Sequence, residues 1–452
     1  MKPNKPNKPN VILINCDDLG YGDLGCYGSK INKSVYLDKL AENGMRFTSF
    51  YCASSVCSPS RAALMTGCYP PRVGINRVLF PGEPYGLNPD EFTMPRLFKN
   101  AGYSTMMVGK WHCGDQKEHL PDKFGFDEYY GLPYSNDMGI NTKTTDKKRF
   151  PPLPLVSNNE VIEQQPDQRA LTERYVEKCV DFIRRNKDNH FFLYFAQMHV
   201  HLPLYAAERF VKESENGDFG ACVASLDWAC GAIMYELEKL SLIDDTMIIF
   251  TSDNGSRGDY GSSNLPLRGG KFTSWEGGQR IPCIISWKDK IKPGANNQMA
   301  SQMDLLPTLA AVINQDLGQN KIDGVDLSDM IFNGGDSKRR EFVYYMSDMK
   351  LDAVRKDKWK LHFSKNDAPV KLLYDLEADI SESNNLYEFY PDVVSELTEI
   401  YERYKHTLGD NLTDVKGCEV RECGYVENPV TLTEYDPDHP YIIAMYDKDD
   451  MG

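Results

Sequence analysis

Four short apolar runs, each delivering polar residues at its end, constrain this chain more than any other feature. Val11 to Asn15 leads into Cys16-Asp17-Asp18, and Tyr103 to Val108 into Gly109-Lys110-Trp111-His112. Phe191 to Ala196 ends near His199 and His201, and Met247 to Phe250 runs into Ser252-Asp253-Asn254-Gly255. Apolar runs of this length read as strands buried on both faces. Between them lie helical stretches: Leu37 to Asn43 before Gly44, Arg61 to Met65 entered from Pro59 and stopped at Gly67, Leu171 to Arg185, and Phe219 to Leu242. Strands alternating with helices predict an α/β fold with a largely parallel sheet, whose carboxyl edge is where ligands bind.

Residues 133–170, rich in Pro, Asn, Asp and Lys, read as a long irregular excursion. Beyond residue 335 the texture changes to short alternating runs (Arg340 to Tyr345, Ala353 to Lys356, Trp359 to Phe363, Leu372 to Leu376), then a helix from Pro391 to His406. The expected division is a catalytic domain over 1–335 and, over 336–452, a smaller antiparallel sheet with one covering helix and an irregular tail.

The 452 residues carry 51 Lys+Arg against 66 Asp+Glu, a net charge of −15. That balance argues against nucleic acid as the main partner, and an anionic substrate would need cations concentrated locally. No apolar stretch is long enough for a membrane span, and MKPNKPNKPN lacks the apolar region of a signal peptide. The twelve cysteines show no CxxC spacing and read mostly as free, buried small hydrophobes, with Cys418 and Cys423 close enough for a small loop disulfide. The expected compartment is the cytoplasm.

Asp17, Asp18, Asp253 and Asn254 form an all-oxygen set from two strand ends, the chemistry of Ca²⁺ or Mg²⁺ rather than zinc. Taken singly, Asp17-Asp18 reads as a cap or solvated loop and Asp253-Asn254-Gly255 as a turn; together they read as a metal site. Cys57 precedes a helix start and has Arg61 four positions on, so it reads either as a low-pKa thiolate or as a buried loop cysteine.

Cys57-Ser58-Pro59-Ser60-Arg61, continuing through Leu64 and Thr66-Gly67, resembles the C-x-P-S-R-x-x-L-x-T-G signature of type I sulfatases. The resemblance extends to Asn10 to Gly28, to the GKWH block at 109–112, to His201-Leu202-Pro203 and to Ser252-Asp253-Asn254-Gly255. It continues through Gly270-Lys271 with Trp275-Glu276-Gly277-Gly278, and Leu373-Tyr374-Asp375-Leu376. The chain looks most like the arylsulfatase A and N-acetylgalactosamine-6-sulfatase group. The resemblance implies an alkaline-phosphatase-like fold: a large mixed, mostly parallel sheet flanked by helices, plus the smaller C-terminal antiparallel sheet. It also implies oxidation of Cys57 to formylglycine by a formylglycine-generating enzyme, with Cys57 joining Asp17, Asp18, Asp253 and Asn254 around Ca²⁺, Mg²⁺ being possible.

The implied reaction is hydrolysis of a sulfate monoester. Hydrated formylglycine loses a proton to Asp253 and attacks sulfur, and His201 with Lys271 protonates the departing alcohol. His112 then removes a proton from the second hydroxyl to expel sulfate. Arg61 holds the formylglycine side chain, and Lys110 and Lys271 face the sulfate oxygens. His199 reads as a hydrogen-bonded core group, and His439 reaches a pocket only if the tail folds back. Sugar contacts are expected from Arg77, Tyr134, Asp137 and Arg268, in loops 74–90, 134–150 and 256–268. A sulfated galactose-type sugar leads, with an aryl or steroid sulfate second. Other readings are a phosphonate monoester hydrolase or phosphodiesterase, and a non-catalytic binder of sulfated glycans.

Overall fold

The computed structural model describes residues 8–141, 150–441, 446 and 448, so most of the KPN-rich start and part of the 134–150 loop lie outside the described residues. In chain order the large sheet contains β1 (Asn10–Cys16), β2 (Met45–Tyr51), β3 (Ser104–Gly109), β4 (Glu128–Gly131), β5 (Pro154–Ser157) and β6 (Glu160–Gln164). It continues with β7 (Phe191–Gln197), β8 (Thr246–Ser252), β9 (Arg280–Ser286) and β10 (Gly294–Asn296). In space the order is β10-β2-β9-β8-β1-β7-β3-β4-β5-β6. The middle strands β8, β1, β7, β3 and β4 are parallel, as the four apolar runs predict. Antiparallel partners flank them on both sides.

Helices cover both faces: α1 (Val35–Glu42), α2 (Cys57–Thr66), α3 (Gln168–Arg185), α4 (Gly217–Lys239) and α5 (Leu305–Val312). Alternate residues of β1 feed two separate cores. Ile12 and Ile14 pack with residues of α1, α3 and α4, such as Leu37, Phe182 and Leu226. Val11 and Leu13 pack with Leu64, Met65 and Leu309 of α2 and α5. This two-sided burial is why the strand reads as an unbroken apolar run.

Four local expectations change. Strands β2 and β9 escape a pattern reading, and Pro282 inside β9 argues against a strand. The ladder tolerates it because β9 shifts register between Ile281 and Cys283, where Pro282 sits. Residues 133–170 include the β5–β6 hairpin, turned at Asn158 with φ 54°. Helix α2 starts at Cys57 rather than Arg61, Pro59 being tolerated in a first turn whose N–H groups lack intrahelical partners. It stops at left-handed Gly67 as expected, while α1 ends at Glu42 with Asn43 rather than Gly44 as its cap.

A second sheet follows, with β11 (Glu341–Met346), β12 (Lys350–Lys356), β13 (Trp359–Lys365) and β14 (Ala368–Asp375), all antiparallel and covered by α6 (Pro391–Leu408). Phe342, Leu351, Leu361, Leu397 and Ile400 join Tyr51, Ala63 and Tyr69 of the first part in one core. The tail then returns to the large-sheet domain. Arg421 pairs with Glu91 at 2.7 Å, Gly424–Tyr425 pairs with Tyr85–Gly86, and Val430 bonds the Gln116 side chain. Thr433 donates to Pro152 O and Tyr441 to Gln164. Cys418 and Cys423 are both free.

One close approach sets the height of β3 in the sheet. Gly109 has φ +110°, and a Cβ there would lie 1.9 Å from Ala196 O. Gly109→Ala is expected to destabilise the fold by more than about 2 kcal/mol, read as a fall in the urea midpoint at unchanged m.

Candidate active site

The parallel register brings distant residues to one level. Lys110 N donates to Ala196 O at 2.9 Å, Asp17 N to Gln197 O at 3.0 Å, and Asp253 N to Cys16 O at 2.9 Å. Asp17, Lys110 and Asp253 therefore leave the ends of β1, β3 and β8 at one level, with β7 between the first two, and all three are buried. Helix α2 brings Cys57 and Arg61 against them. The nearest ligating atoms of Asp17, Cys57 and Asp253 lie within 4.8 Å of one another.

Three carboxylates meet three cations here. Lys110 Nζ sits 2.6 Å from Asp17 Oδ2, and Lys271 Nζ 2.8 Å from Asp18 Oδ2. Arg61 approaches Asp253 Oδ2 at 2.8 Å and Asp17 Oδ1 at 3.4 Å, and gives another N–H to Lys110 O at 2.8 Å. Burial alone would raise the Asp17 carboxyl, yet Lys110, His201 and Arg61 hold it well below the usual carboxylate range. Asp253 goes the other way, up to about 7, through burial and the neighbouring Asp17 charge.

The two histidines have legible tautomers. His112 Nε2 lies 3.0 Å from Leu79 O, which can only accept, so Nε2 carries the proton. Its buried Nδ1 has no hydrogen-bond partner among the described residues and keeps a free lone pair. Burial, with Lys110 and Arg61 nearby, holds His112 neutral by lowering its pKa far below the usual value. His201 Nδ1 faces Leu202 O at 2.5 Å and Asn136 Oδ1 at 3.1 Å, so it donates there and leaves Nε2 to accept from Lys271 Nζ at 3.2 Å. Asp18 and His112 both have positive φ, 59° and 61°, a strain typical of functional sites.

The donors fit a hard divalent cation. Asn254 Nδ2 is spent on Asp18 Oδ1 at 2.6 Å, while its buried Oδ1 has no hydrogen-bond partner among the described residues. Asp17 Oδ1 likewise accepts no hydrogen bond there. Buried oxygens without donors are what a Ca²⁺ or Mg²⁺ ion would satisfy. Cys57 does not form the low-pKa thiolate that its helix position suggests. Burial pushes the thiol up to about 11 despite Lys110 and Lys271.

Ser135 is a site residue that the sequence reading missed. Its Oγ lies 3.1 Å from Lys110 Nζ and 3.4 Å from His201 Nδ1. It follows Tyr134 in a Pro- and Asn-rich stretch that carries no motif of its own. Of the expected sugar contacts, Arg77 pairs with Glu83 at 3.0 Å and lines a cavity of about 320 Å³ with Asn76, Leu79 and Tyr85. Asp137 is half-buried in the loop beyond Ser135. The other two have partners of their own. Tyr134 is a core side chain, and Arg268 stacks 3.7 Å over the Trp275 ring while donating to Glu382 O. His199 is buried, but its ring nitrogens have no hydrogen-bond partners among the described residues, contrary to the core reading. His439 stays on the surface, stacked on Tyr441.

Residues 9–314 match the Sulfatase family model, and residues 270–408 match that of the N-sulphoglucosamine sulphohydrolase C-terminal region. Human arylsulfatase A is 39% identical over 427 residues, covering 84% of this chain and 83% of that protein. Pig N-acetylgalactosamine-6-sulfatase is 36% identical over 383 residues, covering 79% and 72%. The crystal structure of Ps i-CgsB in complex with k-i-k-neocarrahexaose superposes with a TM-score of 0.81 at 29% identity, covering 90% of this chain and 95% of that one. With the fold, the matched residues and these relatives agreeing, the chain belongs to the sulfatase family and is a sulfuric ester hydrolase.

Proposed function

We propose that the protein removes sulfate from sulfated sugars, using an oxidised Cys57 as nucleophile and Ca²⁺ held by Asp17, Asp18, Asp253 and Asn254. The observation that carries this reading is a pair of neutral imidazole acceptors, His112 Nδ1 and His201 Nε2, in one buried cluster with Lys110, Asp17 and Cys57. N-acetylgalactosamine-6-sulfatase and the complex with k-i-k-neocarrahexaose among the relatives favour a sugar ester.

The divalent cation, when bound, supplies charge that stabilises a developing oxyanion and an ionised nucleophile. The side chains do the rest. Asp253, whose nearest carboxylate oxygen lies within 4.8 Å of Cys57 Sγ, is placed to take the nucleophile's proton. Lys110 and Lys271 present N–H donors to the sulfate oxygens, where charge builds as the ester bond breaks. His201 is neutral in its preferred state because burial and Lys271 lower its pKa. The proton for the leaving alcohol therefore comes from the Lys271 ammonium, the proton carrier of the pair, with His201 Nε2 3.2 Å away orienting it. His112 Nδ1 accepts the proton that releases sulfate. Arg61 donates to Asp253 and to the Lys110 carbonyl, so it orients that carboxylate and the lysine's backbone, while its charge lies 3.4 Å from Asp17 Oδ1.

Intact-mass measurement is expected to find Cys57 lighter by the exchange of sulfur for oxygen and the loss of two hydrogens. Parallel assays are expected to give faster turnover of a sulfate monoester than of an aryl phosphate diester. An unmodified Cys57 in active protein, or faster diester turnover, would overturn the reading. Chelation is expected to abolish turnover and lower Tm, since the ion binds the folded state alone. Ca²⁺ should restore both; full restoration by Mg²⁺ would reverse the choice of ion.

A further inference from the structure

We propose that Phe272 is the platform on which the ring carrying the sulfate ester stacks, and hence a specificity-determining residue. This rests on the sugar-sulfate reading and adds the face by which the sugar is held. Phe272 follows Lys271 directly and has φ +68°, a conformation that is an outlier for a bulky side chain. The residue is 52% exposed, so its side chain gains little by packing. Yet the Lys271 ammonium, whose partners are Asp18 and His201, lies only 5.1 Å from its centroid.

The backbone leaves little freedom here. Lys271 N donates to Ser256 O at 2.9 Å, and Phe272 N donates to Ser55 O at 3.2 Å, two residues before Cys57. A glycine would occupy this left-handed position without strain. The strain and the exposed apolar face are therefore both unexplained by folding, and strain held beside reacting groups is a mark of function. A pyranose presents an apolar C–H face to such a ring, while its sulfate group turns toward Lys110 and Lys271. An aryl ester could offer a π face instead, so the test carries both rings.

The measurement is kcat/KM on a sulfated monosaccharide divided by kcat/KM on a ringless alkyl sulfate, with an aryl sulfate run alongside. Phe272→Gly is expected to lower that ratio about tenfold, the scale of one ring contact, chiefly through KM. Phe272→Tyr should keep the ratio within about twofold, because the ring face remains. Relief of strain should leave the Gly variant melting at or above the wild-type temperature. An unchanged ratio, a Tyr variant as poor as Gly, or a Gly variant that melts well below wild type would overturn the proposal. A loss confined to the aryl ester would overturn the sugar assignment. A wild-type enzyme that cleaves no sulfate ester would instead refute the proposed function itself.

Discussion

Mutual neutralisation of buried charge governs this molecule. Asp17, Asp18 and Asp253 are dehydrated together, and they remain so only because Arg61, Lys110 and Lys271 are buried against them. Removing one partner from such a pair leaves an uncompensated charge, typically at a cost of about 3–5 kcal/mol. The residues come from five separate stretches of chain, so the strand register, the start of α2 and the loop after β8 must all be correct together. A divalent cation added to three balanced pairs gives the site a net positive charge, which a singly charged sulfate ester complements. Local field thereby prevails over a chain whose net charge is −15.

The second sheet takes part in that arrangement through the loop bearing Lys271. Lys360 of β13 reaches Ser274 O at 2.8 Å, Glu276 Oε1 at 2.9 Å and Glu382 Oε1 at 3.0 Å. Glu382 in turn accepts from the backbone of Glu276 at 2.7 Å and contacts His362 Nε2 at 2.8 Å. Arg268, three residues before Lys271, lies on Trp275. The lysine is thus held from both sides by contacts that lead into the C-terminal region, although its chemistry belongs to the first sheet.

What could be read from sequence was whatever local pattern controls. The central strands are buried on both faces, so composition alone marks them. Their strand-end carboxylates and lysines fall in motifs with fixed spacing. Strand β9 was hidden because Pro282 contradicts a strand except at a bulge, and bulges are settled by the partner strand. Ser135 was hidden because its role depends on where Lys110 and His201 point, which no neighbouring residue reveals. Cys57 stayed open between thiolate and buried thiol for a related reason: helix position and a nearby arginine favour a thiolate, and only the tertiary structure shows that dehydration outweighs them.

The returning tail has a bearing on how relatives of this protein can diverge. It stitches Glu91, Gly86, Gln116, Pro152 and Gln164 along one continuous thread. These anchor points belong to otherwise independent connections between strands and helices. A residue gained or lost in the thread would offset every later stitch at once, whereas a side-chain exchange would alter one stitch and spare the others. Ancestry should therefore tinker with this margin by substitution far more freely than by changes of length.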